Sequence, residues 1–430
     1  MMWGTLTGSL LMLALSGTLL GCVLGGTGLL LLHFFAGGAA VMAAETLWND
    51  FTKYTLSSVL IFILVGDLFF ASGLSRRSYS ALAPLFQRIP GKLLHTNVAV
   101  CILFGAVSGT STATAAAVGA AAYPELRGRN YNRRAVLGSL AGAGTLGLLI
   151  PPSIALILYG AMQEVSIARL FLAGVVPGLL LGLAFMVFIA IVSLSNLETT
   201  PHEGPKPTLG EILRNLVQIW PLVALMGSIL GPLYAGLAAP TEAAGFGVVF
   251  TLALGFTVGT LNWNLLVETV LSTMLKFGAI IFVIAGAVIL KQAIGILGIP
   301  RQALDFLFGF NLGKYEALLA VVLFYLILGC LFDGISLLLL STPFVAPLLV
   351  GYGFDPIWIG VLITVLIEIG MITPPVGPNL FVLSSITKGE AGIGEIARAT
   401  IPYWLILIGG VAMLALVPSL ALWLPKLVMG

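Results

Sequence analysis

Ser108, Gly109, Thr110, Ser111 and Thr112 put four hydroxyls and a glycine into five consecutive positions, with Ala113-Thr114-Ala115-Ala116-Ala117 behind them, in a stretch that is otherwise oily. Hydroxyls in hydrocarbon must find hydrogen-bond partners, and non-helical backbone persists at that depth only where protein buries it or it lines a wet cavity. Hydroxyl and carbonyl oxygens gathered at the tip of a re-entrant helical hairpin would hold a small, hard cation. The same residue types also let helices approach closely, so the run by itself reads equally as a packing face.

Recurrence favours the ion. Pro151-Pro152 follows the hydroxyl run, and Pro374-Pro375 follows a second polar tip, Phe332-Asp333-Gly334-Ile335-Ser336. Proline removes a backbone donor and clashes with the carbonyl one turn back. Each pair is therefore predicted to break a helix, freeing carbonyls for a cation while the N-terminus of the second half faces an anion. Two sites follow. The first joins Ser108, Gly109, Thr110, Ser111 and Thr112 with Ile150, Pro151, Pro152 and Ser153. The second joins Asp333, Gly334, Ile335 and Ser336 with Thr373, Pro374, Pro375, Val376 and Gly377. Thr112, Thr145, Ser336 and Asn379 are candidate substrate contacts.

Sodium suits such oxygens. Calcium sites recruit several carboxylates, and His33, His95, His202, Cys22, Cys101 and Cys330 are too scattered for zinc. Ser108 and Ser111 have no His or Lys nearby in sequence, and neither a nucleophile elbow nor a phosphate loop occurs. Neither an enzyme nor a cofactor is expected, only Na+ as coupling ion. Ionisable residues inside a membrane are functional suspects. Asp67, Asp333 and Glu368 qualify, with Lys276 and Lys291 as partners. Asp333 adjoins a tip and would shape a cation site, whereas Asp67 and Glu368 are expected to hold one helix against another.

The elements that position these residues are membrane helices. The 430 residues are 59% hydrophobic and 8% charged, with mean hydropathy +1.12, against about 25% charged in a soluble domain. A net charge of +2 offers nothing to nucleic acid. The apolar run Leu6–Phe35 lacks a basic flank and exceeds a signal peptide's core of roughly 7–15 residues, so it is predicted as a first spanning helix. Further apolar spans fall near 54–73, 135–160, 168–195, 213–235, 241–261, 272–298, 357–386 and 401–425, with hairpins near 94–124 and 315–349.

Two halves match. Gly73 and Gly298 are 225 apart, as are Gly109 and Gly334, and Pro151 and Pro374 are 223 apart. Cytoplasmic loops are rich in Lys and Arg. Arg76, Arg77, Arg88 and Lys92 precede the first hairpin and Arg127, Arg129, Arg133 and Arg134 follow it. Carrying the spans forward sets Lys206, Arg214, Lys276, Lys388 and Arg398 on that same side, and Lys53, Arg169, Arg301, Lys314 and Lys426 on the other. The second hairpin then opens from the opposite face to the first, which is the inverted-repeat design of secondary transporters. The expected fold is an all-α polytopic membrane protein with an inverted repeat, two re-entrant hairpins and two broken helices. Its parts are scaffold helices and a basic connection (1–93), first hairpin and break (94–160), and further scaffold (161–314) with a linker near 196–212. Second hairpin and break (315–386) and a C-terminal helix (387–430) complete it. Pro240-Thr241-Glu242 reads as a capped helix start.

From about Leu47 to Pro425 the chain resembles the large membrane subunit of tripartite ATP-independent periplasmic (TRAP) transporters. The resemblance rests on Gly144-Thr145-Leu146-Gly147-Leu148-Leu149-Ile150-Pro151-Pro152-Ser153, on Pro240-Thr241-Glu242-Ala243-Ala244, and on the run Glu368-Ile369-Gly370-Met371-Ile372-Thr373-Pro374-Pro375-Val376-Gly377-Pro378-Asn379. It implies sodium-coupled symport of organic acids, dicarboxylates or sialic acids, across a bacterial inner membrane. It also implies a soluble periplasmic substrate-binding protein, a separate small four-helix membrane subunit, contact with membrane lipid, and an elevator motion in which 94–160 and 315–386 slide against a scaffold. A self-sufficient sodium/dicarboxylate carrier of the same fold group is the alternative.

Overall fold

The computed structural model describes residues 2–15, 18–195, 208–309 and 312–430, and every regular element among them is helical. The polar linker Glu198–Pro207 lies outside the described residues. The N-terminal part comprises α1 (Met2–Leu15), α2 (Leu20–Phe35), α3 (Met42–Phe51), α4 (Tyr54–Ala71) and α5 (Leu74–Phe86). The expected single helix from Leu6 to Phe35 is therefore two helices. The chain is out of helical geometry at Leu19 (ψ 136°), and α2 packs back on α1.

Next come α6 (Leu93–Ser108), α7 (Ser111–Gly128), α8 (Arg133–Thr145), α9 (Ile154–Gln163) and α10 (Ile167–Ser195). Beyond the linker lie α11 (Leu209–Val217), α12 (Trp220–Tyr234), α13 (Pro240–Thr257), α14 (Trp263–Ile296) and α15 (Ile299–Gly309). The chain ends with α16 (Lys314–Gly329), α17 (Gly334–Gly351), α18 (Pro356–Met371), α19 (Pro378–Ile386), α20 (Ile393–Leu416) and α21 (Ser419–Met429). Four described helices are long and apolar enough to cross a membrane, α10, α14, α17 and α20. On α10 the residues Leu179, Leu183, Val187, Ile191 and Leu194 are exposed while Leu181, Phe185 and Ile189 are buried, a helical stripe of oil turned outward as lipid requires.

The order of elements from α4 to α10 recurs from α14 to α20: a long helix, a left-handed glycine (Gly73, φ 69°; Gly298, φ 63°), a short helix, a helix pair, a broken helix and another long helix. Side chains write the starts. Asp355 accepts from the N–H groups of Ile357 and Trp358, Asn262 from Leu265, and Glu242 from Ala239, each satisfying donors that a helix start or its lead-in leaves open. Core helix α18 is buried along its whole length from Trp358 to Met371.

Charged contacts gather the loops at two ends. At one, Arg127 lies 3.7 Å from Glu390, Arg133 3.4 Å from Glu395, and Tyr123 donates to Glu390. At the other, Lys53 bridges Asp50 (2.7 Å) and Glu164 (3.1 Å). The hydrogen bonds to Asp50 and Glu164 raise the Lys53 ammonium above its ordinary pKa, and Lys53 holds the Glu164 carboxyl below its own. These groupings match the sidedness read from loop charges, with one correction. Lys276 is no loop residue. Because α14 begins at Trp263, Lys276 sits thirteen residues inside it, about 20 Å from its start at 1.5 Å per residue.

Glycines let the broken helices meet the helix pairs. A Cβ added to Gly105 would stand 2.5 Å from the Cα of Gly147, and one added to Gly370 would stand 2.7 Å from the carbonyl oxygen of Gly329. Backbone, not a flexible side chain, occupies that space. Gly105→Ala and Gly370→Ala should therefore each destabilise the purified chain by about 1–3 kcal/mol, the cost of overpacking. Gly278→Ala, in the interior of α14 where nothing lies within 4 Å, should leave the melting temperature in detergent unlowered or raise it slightly. Equal melting curves for all three would refute the close approach.

Candidate functional site

Helix α6 ends at Gly109, whose φ of 64° is left-handed, and Thr110 is extended (φ −135°) before α7 begins. Only glycine adopts the first of these without strain. Three oxygens converge at this turn. The Ser108 and Thr114 hydroxyls are 2.7 Å apart, Thr114 Oγ1 donates to the Thr110 carbonyl at 2.8 Å, and Ser108 Oγ lies 3.2 Å from the same carbonyl. The first break runs from Leu146 through a short 3-10 turn to Ser153, and Leu149 to Ser153 are all buried. Its freed groups find partners. Ser153 Oγ donates to the Leu148 carbonyl and accepts from Leu156 N–H, and Ile154 N–H donates to the Gly109 carbonyl at 3.1 Å. Gly109 also abuts the Pro152 carbonyl, 3.0 Å from where its Cβ would be. The tip and the break predicted as a first site are thus in contact.

The second copy repeats the bond. Val376 N–H donates to the Cys330 carbonyl at 3.1 Å. Here the turn between helices is longer, Cys330 to Asp333 against Gly109 and Thr110. The pairing of Gly109 with Gly334 is corrected accordingly: Cys330 holds Gly109's place, Asp333 holds Thr110's as the residue before the helix, and Gly334 opens α17. Asp333 Oδ1 accepts from Ile335 N–H (3.1 Å) and Ser336 N–H (3.2 Å), so its carboxylate caps α17. Thr373 Oγ1 donates to the Ile369 carbonyl and accepts from the Trp404 indole at 3.1 Å. Pro374 and Pro375 are exposed, unlike their counterparts, and both Pro–Pro bonds are cis.

The two copies also touch each other. Asn379 Nδ2 stands 2.7 Å from Ser111 Oγ and 3.3 Å from the Ala141 carbonyl, with all three residues buried. A cavity of about 590 Å³ lies beside this junction. It is lined by Ser108, Thr110 and Thr112 from the first tip, Ile335 from the second, and Ile154 and Val382 from the two second half-helices. From α4 and α14 come Asp67 and Lys276, joined at 2.8 Å, with Thr273 Oγ1 donating to the other Asp67 oxygen at 2.7 Å.

Of the candidate substrate contacts, Thr112 faces this cavity. Thr145 is fully buried with its hydroxyl on the Gly142 carbonyl, Asn379 is engaged as described, and Ser336 is half-buried at the start of α17. Asp67 ties two helices as expected. Glu368 does not: it is fully buried, and neither carboxylate oxygen has a hydrogen-bond partner among the described residues. Lys291 donates to the Met162 carbonyl rather than to an acid. Thr114 was missed by reasoning from sequence, although it stands one helical turn after Thr110, which is the signal that would have found it.

Burial sets the worth of the Ser111–Asn379 contact. Ser111→Ala and Asn379→Ala should each cost about 1–3 kcal/mol, the penalty for leaving a buried polar partner unmet. The double variant should cost less than the sum by more than the 0.3–0.5 kcal/mol or so expected of independent sites. Additive unfolding energies in detergent would mean that the bond is not formed.

The fold is shared with the YdaH transporter of Alcanivorax borkumensis, whose crystal structure matches with a TM-score of 0.61 at 15% identity, covering 92% of this chain and 90% of that one. The C4-dicarboxylate TRAP transporter large permease protein DctM of Vibrio cholerae serotype O1 is 33% identical, over 95% of this chain and 94% of its own. The sialic acid TRAP transporter large permease protein SiaM of the same organism is 29% identical, over 90% of each. The family model described as "Tripartite ATP-independent periplasmic transporter, DctM component" matches residues 7–420. The chain therefore belongs to the DctM component family of tripartite ATP-independent periplasmic transporters, and is a multi-pass membrane transport protein, not an enzyme, that works with other components of its transporter.

Proposed function

We propose that the chain is the large subunit of a sodium-coupled symporter that imports an organic acid across a bacterial inner membrane. The substrate class is read from relatives named for C4-dicarboxylates and sialic acid, all carboxylates. Delivery falls to a soluble periplasmic substrate-binding protein, and a separate small four-helix membrane subunit packs against the scaffold. The observation that carries this reading is convergence: two helix pairs and the half-helices that follow two breaks, joined by the contacts Ile154 to Gly109 and Val376 to Cys330, all contribute to the lining of one cavity. Discontinuous helices from two repeats around a central site are what secondary transporters use.

Sodium at the first site would take oxygens from Ser108, Thr110 and Thr114 with the Pro152 carbonyl. At the second it would take them from the Cys330–Ser336 turn and from Thr373–Gly377. Residues 94–160 and 315–386 form the moving part of an elevator, and 1–93 and 161–314 the scaffold, with the C-terminal residues 387–430 behind.

The test is uptake into proteoliposomes holding the complete transporter, with succinate and N-acetylneuraminate as probes. Uptake should need a sodium gradient and the binding protein, with a sodium Hill coefficient above one. Ser108→Ala and Thr114→Ala should raise half-saturating sodium about tenfold, the loss of one ligand worth roughly 1.5 kcal/mol. With native cysteines replaced, Ala113→Cys, exposed on the cavity wall, should be labelled from opposite sides with and without sodium. Sodium-independent uptake overturns the coupling, uptake by the chain alone returns the self-sufficient carrier, and labelling from one side only overturns the elevator.

A further inference from the structure

We infer that Lys276 receives a carboxylate of the transported anion, with Asp67 as the partner that keeps the lysine in place between cycles; the inference rests on the transport reading above. Asp67 and Lys276 are the ionisable groups among the residues lining the cavity of about 590 Å³. That volume lies within the roughly 300–1,000 Å³ of pockets for small organic ligands.

The pair is built unevenly. Asp67 is held twice, by Lys276 at 2.8 Å and by the Thr273 hydroxyl at 2.7 Å, and its side chain is 19% exposed. Lys276 is 52% exposed, and an ammonium has three donors, of which Asp67 takes one. A clamp whose sole task was to join α4 to α14 would do best closed away from water, because exposure weakens an ion pair. Here the cation faces open space while the anion is secured by a second bond. Lys276 can therefore give its free donors to an incoming carboxylate without stranding Asp67.

The first hairpin's part of the lining suits the same ligand. Thr112 and Ala113 stand in the first turn of α7, an 18-residue helix whose N-terminal end favours negative charge. A carboxylate between that turn and Lys276 would meet positive potential from both sides. It would also span α14, assigned to the scaffold, and the first hairpin, assigned to the moving part. While the cavity is empty, the Lys276–Asp67 pair leaves no unpaired charge on its scaffold side.

The test compares Lys276→Gln, Asp67→Asn and the double variant in the complete transporter, reconstituted and assayed at saturating sodium with succinate and N-acetylneuraminate. Lys276→Gln should raise KM by about tenfold or more, the loss of a charge-assisted hydrogen bond, with half-saturating sodium unchanged. The double variant, which removes both charges and leaves no unpaired ion to unfold the chain, should keep the raised KM. Asp67→Asn alone, which removes the carboxylate that competes with substrate for the Lys276 ammonium, should lower KM. If the double variant recovers the wild-type KM, the pair is a structural clamp and the inference is overturned. If wild-type transporter takes up neither probe in a sodium gradient, the transport reading falls, and this inference with it.

Discussion

Backbone that leaves a helix inside a membrane must satisfy its own polar groups, and the middle of this molecule follows from that requirement. Each Pro–Pro pair stops a helix within apolar surroundings and frees carbonyls and N–H groups there. In both copies an N–H just past the prolines reaches back to the carbonyl that follows the first helix of the preceding pair, Ile154 to Gly109 and Val376 to Cys330. These bonds bring the tips to the breaks.

Close backbone contact comes with small residues. Gly105 against Gly147 and Gly329 against Gly370 bring helices to a separation that no side chain allows. On the first break the covering helix contributes as well. A Cβ on Gly174 of α10 would stand 2.4 Å from the Leu149 carbonyl, and Leu149 to Ser153 are buried. The second break is more open, with Pro374 and Pro375 exposed and the neighbouring Thr373 hydroxyl met by Trp404. Two like segments thus stand in unlike surroundings.

Charge inside the membrane follows the same economy. Asp67 and Lys276 neutralise each other where both border a cavity. Glu368 has no such partner among the described residues and lies fully buried in α18, two residues before Gly370, which meets Gly329. Ser111, at the start of α7, and Asn379, in the first turn of α19, satisfy each other, so the two copies are joined by polar groups as well as by packing.

Much of this was legible in the chain itself. Composition and run length required a membrane protein of helices. Pro151-Pro152 and Pro374-Pro375 located both breaks, because proline's missing N–H is a local fact that no packing can undo. The hydroxyl run marked a turn, and the recurrence of Gly73 at Gly298 marked the repeat. What remained for the tertiary structure was every relation across the fold. Whether Lys276 serves a loop or a cavity depends on where α14 starts and on what α4 presents to it, and hydropathy blurs such boundaries by several residues. The second tip is two residues longer than the first, so a constant offset misaligned Gly334, and only the bond from Val376 to Cys330 reveals the true match. Ser111 and Asn379 are 268 positions apart. Their pairing depends on how two halves pack, and side-chain hydrogen bonds across such a distance leave no periodic trace in a single sequence.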